Sequence, residues 1–416
     1  MKRFFYFLFL GIWSIFTCYL LVVNVKLHHS PTFAQSAGKT YRQDVYYQLQ
    51  HLKKRTQQGA GKEMQTLYPE GFFFMNVLYG LSWADLIANL PETAPIFKEG
   101  QQQIAQAISE LASPEGQRIF PADVQPTLGA FYNGWLAYLL GKKLALAGRQ
   151  ESIDIQQFKD ICERLALAYQ KHTYLRSYQN GVWQADNVVC IASLALHDRL
   201  YTPQYQSLIK KWLQNISNTL DKEGLLPHSA IDETGKIQEN ARGSSLSLML
   251  CFLPEIDAKL AQKQYALFQQ NFLAYRFGLL GVCEYPTYDG GGWGLGDIDS
   301  GPVLLGIGGV GSIVSIRACL QNGDVVASQK LRNSVEAFGF AMTWNKQKYY
   351  LGGFLEVVDA FTAWVNVVQQ SPDKSYTDVG LWFFHFLSLA LFAIGWWLLW
   401  WKRRKKEIIN NMSAKT

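Results

Sequence analysis

Six apolar helical segments recur about every 55 residues along this chain, starting near residues 70, 127, 186, 243, 300 and 353. Six amphipathic segments alternate with them. A helix that is apolar on every side must be buried, whereas a helix with a polar stripe faces water. A regular repeat of this kind predicts stacked supersecondary units, here six helical hairpins. The sequence therefore predicts an all-α fold, an (α/α)6 toroid with the apolar helices inside.

The chain is long enough to build this core, because 49% of its 416 residues are hydrophobic. The predicted inner helices cover residues 69–89, 126–147, 186–200, 244–253, 300–320 and 354–369. The predicted outer helices cover residues 41–57, 94–112, 153–169, 203–220, 256–272 and 329–344. Strand signals are few and lie in the connections, as at 224–237.

Two further apolar segments flank the predicted toroid, at residues 4–25 and 380–401. Each has about the length needed to cross a bilayer. Basic residues lie on the outer side of both, at 2–3 and in the run KRRKK at 402–406. By the positive-inside rule both termini are cytoplasmic and the main domain is periplasmic or extracellular. A cleaved signal peptide is the alternative for the first segment, although its apolar run is long for one.

This layout defines a two-pass protein of the cell membrane whose first partner is the lipid bilayer. It has a cytoplasmic N-terminus at 1–3, linkers at 26–40 and 371–379, a domain at 41–370 and a basic cytoplasmic tail at 402–416. The whole chain has a net charge of +6. Residues 2–3 and 402–416 together carry +7, so the residues between them carry −1. A basic face for nucleic acid is therefore not predicted. The oligomeric state is left open.

The cysteines give no sign of a disulfide framework or of a metal site. Five fall in the predicted domain, and an odd number argues against complete pairing. They are Cys162, Cys190, Cys251, Cys283 and Cys319. Four lie in apolar helical patterns, which is typical of buried thiols. The sequence has no CxxC pair, P-loop or dinucleotide fingerprint, so neither a metal nor a cofactor is predicted.

The connections from an outer to an inner helix are long, whereas the return connections are short. In a toroid of this topology the long connections meet at the end where the inner helices begin, and long loops in compact domains are usually functional. Chemically useful side chains concentrate there, which predicts a carboxylate-lined funnel. They are Glu70, Asp123, Tyr132, Trp183, Asp186, His228, Arg242, Glu284, Tyr285, Trp293 and Asp297.

The longest connection, 273–299, leads into a glycine-rich segment that extends to residue 311. Asp299 and Ser300 stand shortly before a proline, as N-cap residues do, so they are expected to cap the fifth inner helix. Asp297 is then freer for chemistry, and the loop from Cys283 to Asp297 is a candidate catalytic segment. The glycines of 306–311 are expected to let helices pack closely.

From about residue 130 to 310 the chain resembles the linalool dehydratase/isomerase proteins, which are extracytoplasmic α/α toroids. The resemblance lies in 133–140 (beginning NGW), 186–200 (beginning DN and ending DRL), 224–235 and the acid–glycine run before Val303. The family's site uses His and Cys side chains for acid/base chemistry on a terpene alcohol. Trp135 stands where the family has its helix histidine, and Asp186 where it has one active cysteine. The resemblance therefore implies a funnel in which a carboxylate replaces a thiol.

A second, weaker similarity is to inverting glycosidases on the same toroid, which carry a Glu at the start of the first inner helix, as Glu70 does here. Inverting hydrolysis needs two carboxyl groups on opposite sides of the scissile bond. Glu70, Asp186 and Asp297 are candidates for such a pair. Stacking on sugar rings is expected from aromatic side chains, namely Tyr132, Trp183, Tyr285 and Trp293.

These patterns favour a lyase-like enzyme that uses Asp186 as base and Glu284 or Asp297 as acid. Tyr132 and His228 are expected to hold a hydroxylated small molecule, and Arg242 to bind a charged group or orient an acid. Two alternatives stay open. One is an inverting glycoside hydrolase of an envelope polysaccharide. The other is a non-catalytic module that binds a glycan or lipid, in which these acids cap helices or pair with the arginine.

Overall fold

The computed structural model describes residues 2–146, 152–287, 296, 300–368 and 378–413. The protein is mostly helical, with 65% helix and 10% strand, so the predicted helical class is confirmed. In chain order the helices are α1 (Lys2–Lys26), α2 (Gln43–Gln57), α3 (Ala60–Leu67), α4 (Gly71–Ile87), α5 (Pro95–Ala112), α6 (Pro114–Gln117), α7 (Gly129–Leu146), α8 (Ser152–Lys171), α9 (Gln184–Leu200), α10 (Gln206–Ile216), α11 (Gly243–Leu250), α12 (Leu253–Ile256), α13 (Ala258–Phe272), α14 (Gly309–Gln321), α15 (Val325–Phe338), α16 (Glu356–Asn366) and α17 (Val379–Ser413).

The strands are short, and all lie in connections between helices. They are β1 (Phe33–Ser36), β2 (Lys39–Arg42), β3 (Val182–Trp183), β4 (Ser229–Ala230), β5 (Ile237–Glu239), β6 (Leu273–Arg276), β7 (Leu279–Val282), β8 (Val303–Leu304), β9 (Ile307–Gly308), β10 (Met342–Trp344) and β11 (Gln347–Tyr349). They pair as four antiparallel hairpins and one three-stranded sheet, β3-β4-β5. A 3-10 turn, Leu351–Gly353, precedes α16.

Six helices make a closed circuit of contacts. In order around the circuit, α4 contacts α7, then α9, α11, α14 and α16 follow, and α16 returns to α4. These six helices lie in the six segments that the sequence analysis assigned as apolar, and α4 and α7 bury nearly every side chain. The amphipathic helices α2, α5, α8, α10, α13 and α15 pack against them. α10, for example, buries only one stripe, which consists of Ile209, Trp212 and Ile216.

Large aromatic side chains fill the middle of this circuit. The ring of Trp135 lies 5.4–6.1 Å from those of Phe74, Phe252 and Trp364. Three rings from other parts of the circuit therefore surround one indole. Near the ends of α4 and α14, Arg317 donates to Asp85 at 2.8 Å and lies over the Trp364 ring. Aromatic rings therefore fill the middle of the circuit, and a buried ion pair lies near the C-terminal ends of its helices.

The fifth inner helix begins later than predicted. It starts at Gly309 with Gly308 as N-cap, not at residue 300, and β8 and β9 form a hairpin in between. Leu305 and Gly306 have φ of +54° and +81°, which a helix does not tolerate. The prediction that Asp299 and Ser300 cap this helix is therefore wrong: Ser300 bonds the Gly301 carbonyl, and Asp299 lies outside the described residues.

Two other boundaries differ from the sequence prediction. The last outer helix begins at Val325 and ends at Phe338, because Phe340 takes a left-handed φ of +49° and starts the turn into β10. The short helix α3 was not predicted. It is separated from α2 by Gly59, whose φ is +90°, a conformation that glycine adopts without strain.

The first and last helices contain the segments Tyr6–Lys26 and Val379–Arg404, which are long and apolar enough to cross a membrane. They contact each other and the domain. Asn24 donates to Ser388 at 3.1 Å, and Val23 and Phe384 pack with Ala337 at the end of α15 in one small apolar cluster. The two helices therefore meet the domain at α15.

Candidate functional site

The inner helices begin next to one another, as a chain of hydrogen bonds shows. The amide of Ala130, in the first turn of α7, donates to the carbonyl of Arg176, just upstream of α9. The amide of Gln184, the first residue of α9, donates to His228 on the way to α11. Gly243, the first residue of α11, donates to the carbonyl of Glu284. The N-terminal ends of these helices therefore share one end of the fold.

Asp186 lies in the first turn of α9 and is buried. Its Oδ2 accepts a hydrogen bond of 2.5 Å from the hydroxyl of Ser177. The next residue, Asn187, holds the Ser177 segment against α9, because its amide bonds both the N–H and the carbonyl of Leu175. Asp186 is thus a buried carboxylate with a hydroxyl donor fixed beside it.

Glu70 is the residue immediately before α4, and its carboxylate accepts a 2.5 Å hydrogen bond from the hydroxyl of Tyr178. The Tyr178 ring stacks on Phe120 at 5.9 Å and meets Trp183 edge-on at 5.4 Å. Tyr178 directly follows Ser177 in the chain. One loop therefore supplies the hydroxyls that contact carboxylates on two different inner helices.

Glu284 is fully buried. It follows β7 in the chain, and its carboxylate lies against the N-terminal end of α11. Arg242 Nε donates to its Oε1 at 2.8 Å, and the Ser244 hydroxyl donates to the same oxygen at 2.7 Å. The Ser244 amide donates to Oε2 at 3.2 Å. Burial raises the pKa of Glu284, and the contacts with Ser244 and Arg242 oppose that shift. The carboxylate is thus held by several donors and by the partial positive charge of a helix N-terminus.

Other residues that were named from the sequence lie near Glu284. Arg242 lies over the Tyr285 ring, 5.5 Å from its centroid, and its Nη1 is 3.6 Å from Glu239. The same Glu239 carboxylate is 3.7 Å from His228 Nε2. His228, Arg242, Glu284 and Tyr285, four of the residues named from the sequence, therefore lie in one cluster.

Two predicted residues point elsewhere. The Tyr132 hydroxyl donates to the Leu111 carbonyl on α5 at 3.2 Å, and its ring borders a surface cavity of about 480 Å³ next to α8. Asp123 accepts from Gln179 at 2.7 Å in an exposed position. Within the described part of the chain, the hydrogen bonds of these two side chains lead to Leu111, Gln117 and Gln179, and not to Asp186 or Glu284. Trp293 and Asp297 lie outside the described residues.

A group of buried acid/base residues near the start of α16 was not predicted. Asp359 is fully buried, and its Oδ2 faces His51 Nε2 at 3.9 Å; neither atom has a hydrogen bond to a described residue. Glu356 bonds Arg55 through one oxygen at 2.5 Å, and its other oxygen has no hydrogen-bond partner among the same residues. Burial raises the pKa of Asp359 well above its usual value and lowers the pKa of His51. The i, i+3 spacing of Glu356 and Asp359 in the sequence was the available signal.

A second unpredicted group lies between α2, α15 and β11. Oxygen and nitrogen atoms of His29, Asp44 and Glu336 lie within 4.8 Å of one another, a spacing that suits a metal ion. The Lys348 ammonium, however, contacts Glu336 at 2.5 Å and Asp44 at 3.4 Å. Although burial opposes it, Lys348 lowers the pKa of Glu336. The ammonium compensates these carboxylates, so the donor set does not fit a divalent cation.

The five domain cysteines are buried free thiols, whereas the sequence predicted burial for the four that lie in apolar helical patterns. Burial raises the pKa of Cys190 well above its usual value, and the nearby Asp186 carboxylate adds to the shift. Cys283 is also buried, and its pKa is raised. A thiol reacts as thiolate, so these environments disfavour a cysteine nucleophile.

Comparison with known proteins does not place the chain in a family. No protein-family model matches the chain, and a search of curated proteins finds no significant match.

Proposed function

We propose that the domain is an (α/α)6 toroid held at the membrane by two spanning helices. The closed circuit of six buried helices, each covered by an amphipathic partner, supports the toroid. The basic residues beyond both apolar segments support cytoplasmic termini, which would put the domain on the periplasmic or extracellular side. The candidate site then works outside the cytoplasm.

The proposed activity is acid/base cleavage of a carbon–oxygen bond in a hydroxylated substrate. One observation carries it: the consecutive hydroxyls of Ser177 and Tyr178 each contact a carboxylate, on Asp186 and Glu70, at the same end of the fold. A carboxylate with a short hydroxyl donor is an arrangement that moves protons. Asp186 is proposed as the base and Glu70 as the acid that protonates the departing oxygen.

The neighbouring cluster supplies binding. Arg242 and His228 carry donors for a polar group, and Trp183 with Tyr178 offers an aromatic surface. In elimination, Asp186 takes a proton from the carbon next to the C–O bond, the C–O electrons leave with oxygen, and water departs. This is the lyase chemistry that the resemblance to linalool dehydratase/isomerase proteins implies. If the base instead activates water, the same pair hydrolyses a glycosidic bond.

The test is a product assay on the full-length protein in nanodiscs. Terpenols and envelope glycans are supplied, and loss of water or release of reducing sugar is measured. Asp186→Asn and Glu70→Gln are each expected to lower turnover at least about 100-fold, as loss of a general acid or base does. Glu92→Gln is the control, since Glu92 is exposed in an inner-to-outer connection. Activity of Asp186→Asn at the control's level would refute the assignment.

A second candidate, a non-catalytic module that binds a glycan or lipid, is favoured by Glu284. Both of its oxygens accept hydrogen bonds from Arg242 or Ser244. A carboxylate held in this way can shape a binding surface without exchanging protons with a ligand. This candidate predicts saturable ligand binding that survives Asp186→Asn and Glu70→Gln, with no product formed by the unaltered protein.

A further inference from the structure

Three segments next to the spanning helices expose large apolar side chains. These segments are the hairpin β6–β7, the hairpin β8–β9, and the chain from the end of α15 into β10. The exposed side chains are Phe277, Leu304, Leu305, Phe338, Met342 and Trp344, here called the apolar rim. Trp344 is 76% exposed and Leu304 is 73% exposed. A group of exposed apolar side chains in one region marks an interaction surface.

The rim is continuous with the two spanning helices. The ring of Phe340, between Phe338 and Met342, lies 5.3 Å from that of Tyr19 in α1. Tyr19 stands seven residues before Lys26, or about 10 Å along the helix axis, inside the apolar span Tyr6–Lys26. The Lys26 ammonium bonds the carbonyl of Ala341. This part of the domain therefore reaches the level of the span, not merely its end.

The second spanning helix touches the neighbouring hairpin. A Cβ on Gly278 would lie 2.2 Å from the Gly380 carbonyl oxygen, so the β6–β7 turn and the start of α17 are in backbone contact. Arg276 in turn donates to the Leu305 carbonyl at 3.0 Å, which joins the β6–β7 and β8–β9 turns. All three parts of the rim are thus tied to α1 or α17, directly or through one hydrogen bond.

We infer that the apolar rim enters the outer leaflet of the bilayer and that the site draws an amphiphile from it. The inference rests on the proposed membrane anchoring and on the proposed site. Trp and other large apolar side chains favour the interfacial region of a membrane, where the lipid headgroups meet the acyl chains. Arg276 and Lys346 beside the rim would meet lipid headgroups.

The rim lies close to the candidate site along the chain and in space. Glu284 follows β7 by two residues, and its amide donates to the carbonyl of Gly306, next to Leu305. Cys283 pairs with Ile307 of β9. An amphiphile standing in the leaflet would reach the Arg242–Glu284 cluster with its polar end while its chain remained among lipids. The substrate class is therefore an alcohol or head group on a long apolar chain.

The rim is tested by spin labelling of the full-length protein in nanodiscs of phosphatidylcholine and phosphatidylglycerol. Cys18 is the exposed cysteine and the other five are buried, so Cys18→Ser gives a background without reactive thiols. Trp344→Cys and Leu304→Cys are expected to favour collisions with oxygen over a water-soluble nickel chelate. Thr202→Cys, in an exposed inner-to-outer connection, is the control and should show the reverse.

If labels at 304 and 344 are as accessible to the nickel chelate as the label at 202, the rim does not enter the membrane. This measurement needs no turnover, so it can succeed while the proposed reaction fails, and the reverse. The background protein without an introduced cysteine must remain unlabelled for the comparison to count.

The substrate class is tested with hexadecanol that carries a diazirine, placed either next to the hydroxyl or at mid-chain. In the same nanodiscs, the mid-chain probe is expected to crosslink to the rim hairpins. The probe with the diazirine by the hydroxyl is expected to crosslink to 239–244 or 280–287. Crosslinks of both probes confined to α1 and α17 would overturn the inference. Crosslinks to the rim without any to the polar segments would overturn its substrate part.

Discussion

Ser177 and Tyr178 are adjacent in the chain, yet their hydroxyls contact carboxylates on two different helices of the inner circuit. Ser177 donates to Asp186 in α9, and Tyr178 donates to Glu70 at the start of α4. The peptide unit between them therefore fixes the relation of the two proposed catalytic acids. A displacement of this loop changes both at once, which makes it the most informative place for mutations.

Removing either hydroxyl should be costly. A hydrogen bond to a charged group contributes about 1.5–3 kcal/mol, so Ser177→Ala and Tyr178→Phe are each expected to lower the free energy of unfolding by that order. Under the proposed function they should also reduce turnover by about tenfold or more. Unfolding in detergent and the product assay measure the two effects. The matched control is Ser217→Ala, because the exposed Ser217 hydroxyl donates to the nearby Gln214 carbonyl and not to a charged group. Equal behaviour of the two serine variants would contradict the prediction.

Gly129 should be intolerant of alanine. Its φ is +77°, and a Cβ would stand 2.2 Å from the Ser177 carbonyl oxygen. Gly129→Ala must therefore move the Ser177–Tyr178 loop as well as pay about 1–2 kcal/mol for the left-handed conformation. Gly323 has a similar φ of +83° with open space around it, so Gly323→Ala carries the conformational cost alone. The difference in unfolding free energy between the two variants isolates the clash, and identical losses would show that the loop adapts.

Arg242 and Glu284 should depend on each other. Arg242→Met leaves a buried carboxylate without its cation, which costs about 3–5 kcal/mol. The double variant Arg242→Met with Glu284→Leu removes both charges and should recover much of that loss. Arg118→Met is the control, because Arg118 forms an exposed pair with Glu115, and such pairs contribute about 0–1 kcal/mol. A double variant as unstable as Arg242→Met alone would argue against charge pairing as the cause.

Asp359 should make stability fall as pH rises. Its pKa is raised well above the usual value by burial, so the folded protein keeps a proton that the unfolded chain releases above about pH 4. The contribution is thus fully present below that pH and is lost toward the raised folded pKa, at up to about 1.4 kcal/mol per pH unit. Asp359→Asn cannot titrate, so its advantage over the unaltered protein should grow from pH 4 to 8. Parallel stability curves over that range would refute the assignment.

The helical architecture was predictable because burial leaves a periodic trace in the sequence. Segments such as 69–89 are apolar on every side, and the structure has α4 there. The start of α14 was not predictable in the same way, since Ser300 and Pro302 imitate a helix start while Leu305 and Gly306 adopt turn conformations that the apolar pattern does not reveal.

The partners of the candidate acids were harder to predict than the acids themselves. Asp186 stood out as a charged residue at a helix start, Glu284 stood out in the long connection that begins at residue 273, and Arg242 was named as a possible partner of an acid. Tyr178, by contrast, contacts Glu70 across 108 residues of chain, and nothing local in a polar loop indicates such a contact. His51 looked like any residue of an amphipathic helix, because only the packing of α2 on α16 brings it to Asp359.

The six helices of the inner circuit are unequal in length. α4, α7 and α9 have 17, 18 and 17 residues, about 25–27 Å at 1.5 Å per residue. α11, α14 and α16 have only 8, 13 and 11, about 12–20 Å. Two of the shorter helices follow hairpins in the chain: β6 to β9 precede α14, and β10 and β11 precede α16. Changes in the length of these hairpins are therefore expected to leave Glu70 and Asp186, at the starts of α4 and α9, in place.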